Sequence, residues 1–179
     1  MIIGLTGYAQ SGKDSVAKTL VEHYGFTRLA FADKIRDMLY DLNPLVKDGF
    51  RLQGVVDAYG WDQAKVLFPE VRKDLQELGV SARTHLDADV WVNAVLRQMR
   101  DEDNYVITDV RFINEAVVIK QAQGELWRVK RPGVGAVNAH VSESDLDGYK
   151  VDKILSNGGT LEELELLVHT RMDSHKNDN

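Results

Sequence analysis

The sequence contains no cysteine and only 3 prolines, and no apolar run in it is long enough to span a membrane. Without cysteine, disulfides, thiolate zinc sites and cysteine nucleophiles are all excluded. A spanning helix needs about 18 apolar residues, so no membrane partner is expected. The opening residues MIIGLTGYAQ lack the basic segment and apolar stretch of a signal peptide. We therefore expect an intracellular, cytoplasmic protein.

Positive charge is also in the minority, with 22 basic against 28 acidic residues and a formal net charge of −6. This balance opposes a broad surface for a nucleic-acid polymer, but it allows a local basic site. The 179 residues, 44% of them hydrophobic, are enough for one domain with a proper core.

Short apolar runs alternate with amphipathic segments along the chain. Glycines interrupt residues 45–68, which receive no assignment, and residues 132–150 are predicted to form an exposed flap. The alternation predicts an α/β fold with a parallel sheet covered on both faces. Strands are predicted at 1–6, 27–31, 104–110, 125–129 and 151–155, and helices at 13–24, 32–42, 70–78 (ended by Gly79), 88–99, 114–122 and 161–172.

A phosphate-binding motif joins the first strand to the first helix. Residues 7–13, GYAQSGK, match the pattern G-x-x-x-x-G-K of the P-loop. Glycines let backbone N–H groups approach phosphate oxygens, and the helix N-terminus adds partial positive charge. Lysine would reach the β- and γ-phosphates. The predicted ATP-binding residues here are Gly7, Ala9, Gln10, Ser11, Gly12, Lys13, Asp14 and Ser15.

The residue after the lysine departs from the usual loop, because Asp14 stands where Ser or Thr normally binds Mg²⁺. A carboxylate is a hard oxygen ligand and suits Mg²⁺ directly or through water. Asp14 could instead favour the helix N-terminus, which leaves Ser15 as the hydroxyl for the metal.

Two charged residues lie at the carboxyl end of the predicted central strand. Ligands of open α/β sheets bind outside the carboxyl ends of the strands, so Asp109 is a candidate for Mg²⁺ or substrate. Arg111 would stabilise charge on a transferred phosphoryl group. The structural alternatives for Asp109 are a cap of the next helix or a pairing with Arg111. The structural alternative for Arg111 is an ion pair with Glu115.

A basic patch runs from Arg128 through Lys130 to Arg131. Arg131 is the best candidate for an arginine on a lid that closes over ATP, and solvated charge at a strand edge is favoured for the other two. His140, Ser142 and Glu143 suggest a lid contact or a helix N-cap at Ser142 rather than acid–base catalysis. Asn157 follows the last strand, in a loop that can contact adenine.

Several segments, in order, resemble the phage deoxynucleoside monophosphate kinases. Ser11-Gly12-Lys13-Asp14-Ser15 is similar to the SGKD[ST] loop of that family, in which the Asp14 departure is typical. The other matching segments are 31–36, 72–79 with Arg83, 108–115, 140–143, and Asp152 with 157–161.

The resemblance implies a single P-loop kinase domain over residues 1–179. Its expected fold is a three-layer α/β/α sandwich with a five-stranded parallel sheet, a helical insertion for the nucleoside monophosphate (about 33–87) and a lid (about 131–150). It implies ATP and Mg²⁺ as cofactors and transfer of the γ-phosphate of ATP to a deoxynucleoside monophosphate. Catalytic roles would fall to Lys13, Arg111 and Arg131.

Arginines in the first half of the chain are candidates for the acceptor phosphate, because bidentate contacts both bind and orient it. Solvated helix charge is the competing explanation for each of them. Gln76 lies four residues after Arg72 and could contact a base edge. The predicted substrate-binding residues are Asp33, Arg36, Arg72, Gln76, Arg83 and Asp109, and the predicted metal ligands are Asp14, Ser15 and Asp109.

Two other functions stay open on the sequence. One is a P-loop kinase of another small phosphorylated acceptor, such as dephospho-coenzyme A. The other is a nucleotide-binding module without catalysis. Accepted bases, sugar selectivity and assembly are not specified by the sequence, and a homodimer is one option. A phage origin would place the enzyme in the host cytoplasm.

Overall fold

The computed structural model describes residues 1–136 and 140–177, and five parallel strands form its central sheet. The strands are β1 (Ile2–Thr6), β2 (Thr27–Leu29), β3 (Tyr105–Ile107), β4 (Glu125–Lys130) and β5 (Lys153–Ser156). They stand in the order β2-β3-β1-β4-β5. β1 is central, pairing Ile3 with Val106 of β3 and Gly4 with Leu126 of β4.

Helices cover both faces of this sheet, which gives the predicted three-layer α/β/α fold. α1 (Lys13–Tyr24) and α7 (Leu161–Asn177) share one hydrophobic core with Ile3 and Leu5 of β1. Gly4 points to the opposite face, where a Cβ would lie 2.6 Å from Ile119 of α6 (Ile113–Gln121). The alternation along β1 therefore separates two helical layers.

The chain forms two compact units, Met1–Ala30 with Val95–Asn179 and Phe31–Ala94. The second unit contains α2 (Phe31–Leu42), α3 (Leu52–Leu67) and α4 (Pro69–His85), and α5 (Val90–Leu96) begins in it. Its own core includes Leu39, Leu52 and Val71. The predicted insertion over about 33–87 and lid over about 131–150, as parts of one domain, stay predictions, and residues 137–139 of that lid lie outside the described part of the chain.

Glycine misled the helix prediction in two places. Gly79 does not end a helix, because α4 continues to His85. A Cβ at Gly79 would lie 3.2 Å from Ile35 of α2, and its carbonyl accepts a hydrogen bond from Nε1 of Trp91 at 2.9 Å. Gly79 thus serves close helix packing. Residues 45–68, for which the sequence predicts no element, contain α3, which is kinked at Gly60 where φ is 72°.

Other element bounds also differ from the prediction. The helix expected over 88–99 is confined to Val90–Leu96, and β3 is shorter than the expected 104–110. α7 extends beyond the predicted end at 172, to Asn177. Within the described residues, no helix is both long and apolar enough to cross a membrane.

Candidate active site

The P-loop, residues 7–13, connects the buried strand β1 to α1 through a backbone that requires glycine. Gly7 has φ 136°, Gln10 has φ 63° and Gly12, the residue before α1, has φ 109°. Side chains disfavour this region of φ, so glycine is preferred at the two extreme positions. The glycine spacing of the motif therefore has a conformational cause.

Space around the same glycines is closed as well. A Cβ at Gly7 would collide with the carbonyl oxygen of Val129, and a Cβ at Gly12 would lie 2.5 Å from Nδ2 of Asn157. Val129 and Asn157 therefore approach the loop so closely that only glycine fits at these two positions.

Polar groups at the loop are arranged for an anion. Nζ of Lys13 donates hydrogen bonds to the carbonyl oxygens of Gly7 at 2.8 Å and Tyr8 at 2.7 Å. Ser11 is 1% exposed, and its hydroxyl has no hydrogen-bond partner among the described residues. A buried hydroxyl without a partner costs about 1–3 kcal/mol, which a phosphate oxygen would recover.

The remaining predicted loop residues lie around this turn. Ala9 is half-buried and Gln10 is exposed, so neither side chain belongs to the core. Asp14 is exposed in the first turn of α1, beside the half-buried Ser15. Both are positioned at the helix N-terminus, as expected for residues near bound phosphates.

Asn157 supports the loop from behind. Its side-chain amide donates a buried hydrogen bond of 2.9 Å to the carbonyl oxygen of Ser11, and its backbone N–H donates to the carbonyl oxygen of Lys130 at 2.7 Å. Thr160 and Glu163 form a capping box that starts α7. The Asn157 side chain therefore stabilises the shape of the loop. A contact between adenine and the backbone after Asn157 stays a prediction.

The segment after β3 reaches the same edge of the sheet, since the backbone N–H of Val110 donates to the carbonyl oxygen of Leu5 at 3.0 Å. Asp109 and Arg111 are both half-buried there. The buried carboxylate of Glu115 accepts hydrogen bonds from the backbone N–H groups of Arg111 at 2.7 Å and Phe112 at 3.0 Å.

Arg128 is not the solvated strand-edge charge that we expected. β4 is an interior strand. The Arg128 guanidinium donates hydrogen bonds to three carbonyl oxygens, those of Leu146, Asp147 and Tyr149. Lys130 is exposed at the end of the same interior strand, so its charge is solvated as expected but does not lie at a strand edge. Arg128 is therefore a structural anchor for the lid segment, here residues 131–136 and 140–150.

Further bonds attach the lid segment to the core. The Arg111 guanidinium donates to the Ser142 carbonyl at 3.3 Å, and the Tyr8 hydroxyl donates to Oδ2 of Asp147 at 2.8 Å. Leu146 is 4% exposed, so this part of the predicted flap is not exposed. These contacts connect the P-loop, the residues after β3 and the lid segment.

His140, and not Ser142, caps the short turn over Val141–Glu143. Nδ1 of His140 accepts from the backbone N–H of Ser142 at 3.2 Å and lies 2.8 Å from its hydroxyl. Of the two expectations for Ser142, a lid contact or an N-cap, the N-cap is wrong, because Ser142 lies within the turn and His140 precedes it. The side chain of Glu143 lies outside the described part of the protein.

A cavity of about 390 Å³ opens where these segments meet. Its walls come from the P-loop, the residues after β3, the end of β4 and the lid segment. The lining residues with cationic side chains are Arg111, Arg128, Lys130 and Arg131. The volume lies in the range of small-molecule sites, and the charge suits an anion.

The other predicted residues belong to the second unit. Arg36 pairs with Asp33 through Nη1 at 3.0 Å, while its Nε is buried and has no hydrogen-bond partner among the described residues. The pKa of the Asp62 carboxyl is lowered, chiefly by the hydrogen bond and charge of Lys65, and further by Arg36. Arg36 thus retains one unused donor in an acidic surrounding.

The remaining predicted residues share one face of α4. At 100° per residue, Arg72, Gln76 and Arg83 fall within about 60° of arc together with Gly79. All three side chains are half-buried. Nη1 of Arg83 donates a long hydrogen bond to the Ala88 carbonyl at 3.4 Å. The sequence pattern therefore produces a polar face on the helix that packs against α2 at Gly79.

Sequence reasoning missed the contributions of Tyr8, Arg128 and Asp147. Arg128 carried a usable signal, because a charged residue in a buried strand requires a partner. Tyr8 and Asp147 are 139 residues apart. No local pattern connects them, and only the folded chain brings them together.

The fold and this loop define a P-loop nucleotide-binding protein with a three-layer α/β/α core. In agreement, the shikimate kinase of Aquifex aeolicus superposes over 100% of both chains with a TM-score of 0.51 at 13% identity, which shows the fold alone.

Sequence comparison identifies the family more closely. The family model described as deoxynucleotide monophosphate kinase matches residues 65–168. A provisionally named deoxynucleotide monophosphate kinase of Acanthamoeba polyphaga mimivirus is 29% identical over 97% of each chain. The deoxynucleotide monophosphate kinase of Escherichia phage RB69 is 31% identical over 52% of this chain and 41% of its own.

The chain belongs to the deoxynucleotide monophosphate kinase family. It is an enzyme that transfers a phosphate group to a nucleoside monophosphate, and its substrates are small nucleotides. The predicted family, fold and function are confirmed. The roles of individual residues are proposals.

Proposed function

We propose that the protein transfers the γ-phosphate of ATP, with Mg²⁺, to a deoxynucleoside monophosphate, which yields the diphosphate and ADP. The observation that carries this proposal is the glycine-dependent P-loop beside a cavity lined with cationic side chains. Phosphoryl transfer needs positioning and positive charge, and it needs no thiol and no covalent intermediate.

Two features of the P-loop in this chain suit the phosphates of the donor. The glycine cradle leaves no room for a Cβ, and the Ser11 hydroxyl is buried without a partner among the described residues. Lys13 already donates to two loop carbonyls, so its ammonium is at the loop and needs only to exchange these bonds for phosphate oxygens. Arg111 and Arg131 would stabilise the charge that spreads over the transferred group.

The predicted metal ligands offer only oxygen atoms, which is the donor set that Mg²⁺ prefers. Asp14 and Ser15 lie in the first turn of α1, and Asp109 follows β3 at the same edge of the sheet. When bound, Mg²⁺ supplies charge neutralisation at the β- and γ-phosphates. The exposed Asp14 carboxylate would otherwise repel those phosphates.

The acceptor needs no general base, because its attacking oxygen is already an anionic phosphate oxygen. Its Oα–Pγ bond forms as the bond from Pγ to the bridging oxygen of ADP breaks. We assign the acceptor phosphate to Arg72 and Arg83 on the polar face of α4, and to Arg36 with its unused buried Nε. Gln76, on the same face, would contact the base, and Asp33 orients Arg36 through their ion pair.

Lys13→Ala tests the proposal, with Lys18→Ala as the matched control. Lys18 lies on the same helix, but its side chain is 72% exposed and forms a surface ion pair with Glu22. We expect Lys13→Ala to lower turnover with a deoxynucleoside monophosphate by about 100-fold or more, as removal of a charge-stabilising donor does. Lys18→Ala should retain wild-type turnover. Equal activity of both variants, with folding verified by circular dichroism, would remove Lys13 from the site.

The assembly and surroundings of the enzyme remain proposals too. We assign it no nucleic-acid polymer and no membrane as partner, and we place its activity in the host cytoplasm. The support is its acidic net charge of −6 together with its small anionic substrates. A homodimer would be detected by sedimentation.

A further inference from the structure

Three side chains of types that can bind metal ions meet on the surface where α1 packs against α7. His23 lies near the end of α1, and Glu165 and His169 lie one helical turn apart on α7. Nε2 of His23 is 3.2 Å from Oε1 of Glu165, and Nε2 of His169 is 3.6 Å from the same oxygen. We name these residues the two-histidine cluster.

The spacing of these atoms fits a small tetrahedral ion. Zinc binds imidazole nitrogen and carboxylate oxygen at about 2.0–2.2 Å, so two ligands of one tetrahedral ion lie about 3.3–3.5 Å apart. The two measured separations, 3.2 and 3.6 Å, bracket that value. One ligand atom from each of the three residues lies within 4.8 Å of the other two.

A hydrogen bond on the far side of one imidazole orients it toward this point. The Tyr24 hydroxyl lies 2.7 Å from Nδ1 of His169. A tyrosine oxygen can accept from Nδ1–H, which leaves Nε2 with its lone pair directed at Glu165. Outer partners of this kind set the tautomer and direction of metal-binding histidines.

The two-histidine cluster is remote from the phosphate-binding loop. His23 follows Lys13 on a continuous helix, near its opposite end. At 1.5 Å per residue it lies about 15 Å along the axis of α1, beyond reach of the P-loop. An ion there would not take part in phosphoryl transfer. It would connect the helix that begins at the P-loop to the last helix of the chain.

We propose that His23, Glu165 and His169 bind one divalent transition-metal ion, with Zn²⁺ the best-suited species. Imidazole with a carboxylate suits zinc and its neighbours, whereas Mg²⁺ prefers oxygen ligands alone. Three protein ligands leave a fourth tetrahedral position for water. The competing explanation is a surface ion pair between Glu165 and protonated histidine, which needs no metal.

Competition for Zn²⁺ with a chromophoric chelator, at neutral pH and in excess Mg²⁺, tests the proposal on the full chain. We expect one Zn²⁺ per chain for the wild type and loss of that binding in Glu165→Gln and in His169→Asn. His85→Asn is the matched control, since His85 is exposed and belongs to no such cluster among the described residues. Tyr24→Phe should weaken the affinity by about 10-fold.

Thermal unfolding gives a readout that is independent of activity. At 100 times its Kd, bound Zn²⁺ should raise the Tm of the wild type by about 5–10 °C, with no rise in Glu165→Gln. Zinc binding that is absent from the wild type, or equal in the wild type and both ligand variants, would overturn the proposal. Equal affinity of Tyr24→Phe would overturn the orienting role of Tyr24.

Discussion

Gly12 is the position where the shape of the P-loop can be tested most sharply, and Gly12→Ala is the perturbation. Its φ of 109° is unfavourable for alanine, and the new Cβ would lie 2.5 Å from Nδ2 of Asn157. The Asn157 amide cannot stay in place, although it donates at 2.9 Å to the Ser11 carbonyl in a buried position. The substitution therefore acts on backbone strain and on a buried hydrogen bond together.

The magnitude follows from these two parts. A residue forced into a sparsely populated φ costs about 1–3 kcal/mol. Loss of the Asn157 hydrogen bond, with its partner left buried, costs about 1–3 kcal/mol more. We expect Gly12→Ala to lower the free energy of unfolding by about 2–6 kcal/mol, the range these two principles give together.

Gly25→Ala is the matched control, because Gly25 also has a positive φ, of 68°, but a Cβ added there would have no atom within 4 Å. Gly25→Ala should lower the free energy of unfolding only through backbone strain, by about 1–2 kcal/mol. Urea unfolding of both variants, and of Gly12→Ala in an Asn157→Ala background, separates the two parts. There the penalty of Gly12→Ala should fall by about 1–3 kcal/mol, since the obstacle is gone. An equal penalty in both backgrounds, or equal penalties at Gly12 and Gly25, would refute the reasoning.

Three further substitutions test the surrounding structure. Glu115→Ala should lower the free energy of unfolding by about 2–4 kcal/mol, because two backbone N–H groups lose a buried charged acceptor. Urea unfolding measures this, and a loss under about 1 kcal/mol would contradict it. Arg128→Met should increase proteolysis within residues 140–149 about 10-fold, since three carbonyls lose their donor, and unchanged cleavage would exclude the anchor role. Asp152→Asn should lower the free energy of unfolding by about 1 kcal/mol at pH 7, because it removes the ion pair with Lys120. Urea unfolding at two pH values measures this.

The pH dependence of that last substitution has a defined sign. The Asp152 carboxyl is partly desolvated, which alone raises its pKa, but the N–H of Leu126 and the Lys120 ammonium outweigh this and lower the pKa overall. Its contribution to stability is therefore complete above the unfolded value of about 3.9 and is lost as the pH falls through the lower folded value. The difference between wild type and Asp152→Asn should shrink in acid, and a constant difference would contradict the assignment.

The elements that sequence reasoning predicts well are those with local causes. β1, the P-loop and α1 are encoded by an apolar run, two glycines at a fixed spacing and a helical periodicity, all before Gly25. The rule that sites lie at the carboxyl ends of parallel strands points to Asp109 and Arg111. The structure puts Arg111 and Arg131 on one cavity with the loop.

The features that sequence reasoning missed depend on packing between distant segments. Gly79 reads as a helix terminator, yet it is needed where α2 approaches α4. Arg128 reads as surface charge until its strand is known to be interior. His23 has its partners on α7, at the far end of the chain, so an isolated histidine in the sequence becomes part of a cluster only in the fold.

The central claim is phosphoryl transfer from ATP to a deoxynucleoside monophosphate. Its most direct test follows a radioactive γ-phosphate of ATP in the presence of Mg²⁺ and each acceptor in turn: the four deoxynucleoside monophosphates, the matching ribonucleotides and dephospho-coenzyme A. We predict label in at least one deoxynucleoside diphosphate, with none in coenzyme A. Label that appears only in coenzyme A or inorganic phosphate, or that never leaves ATP, would contradict the account.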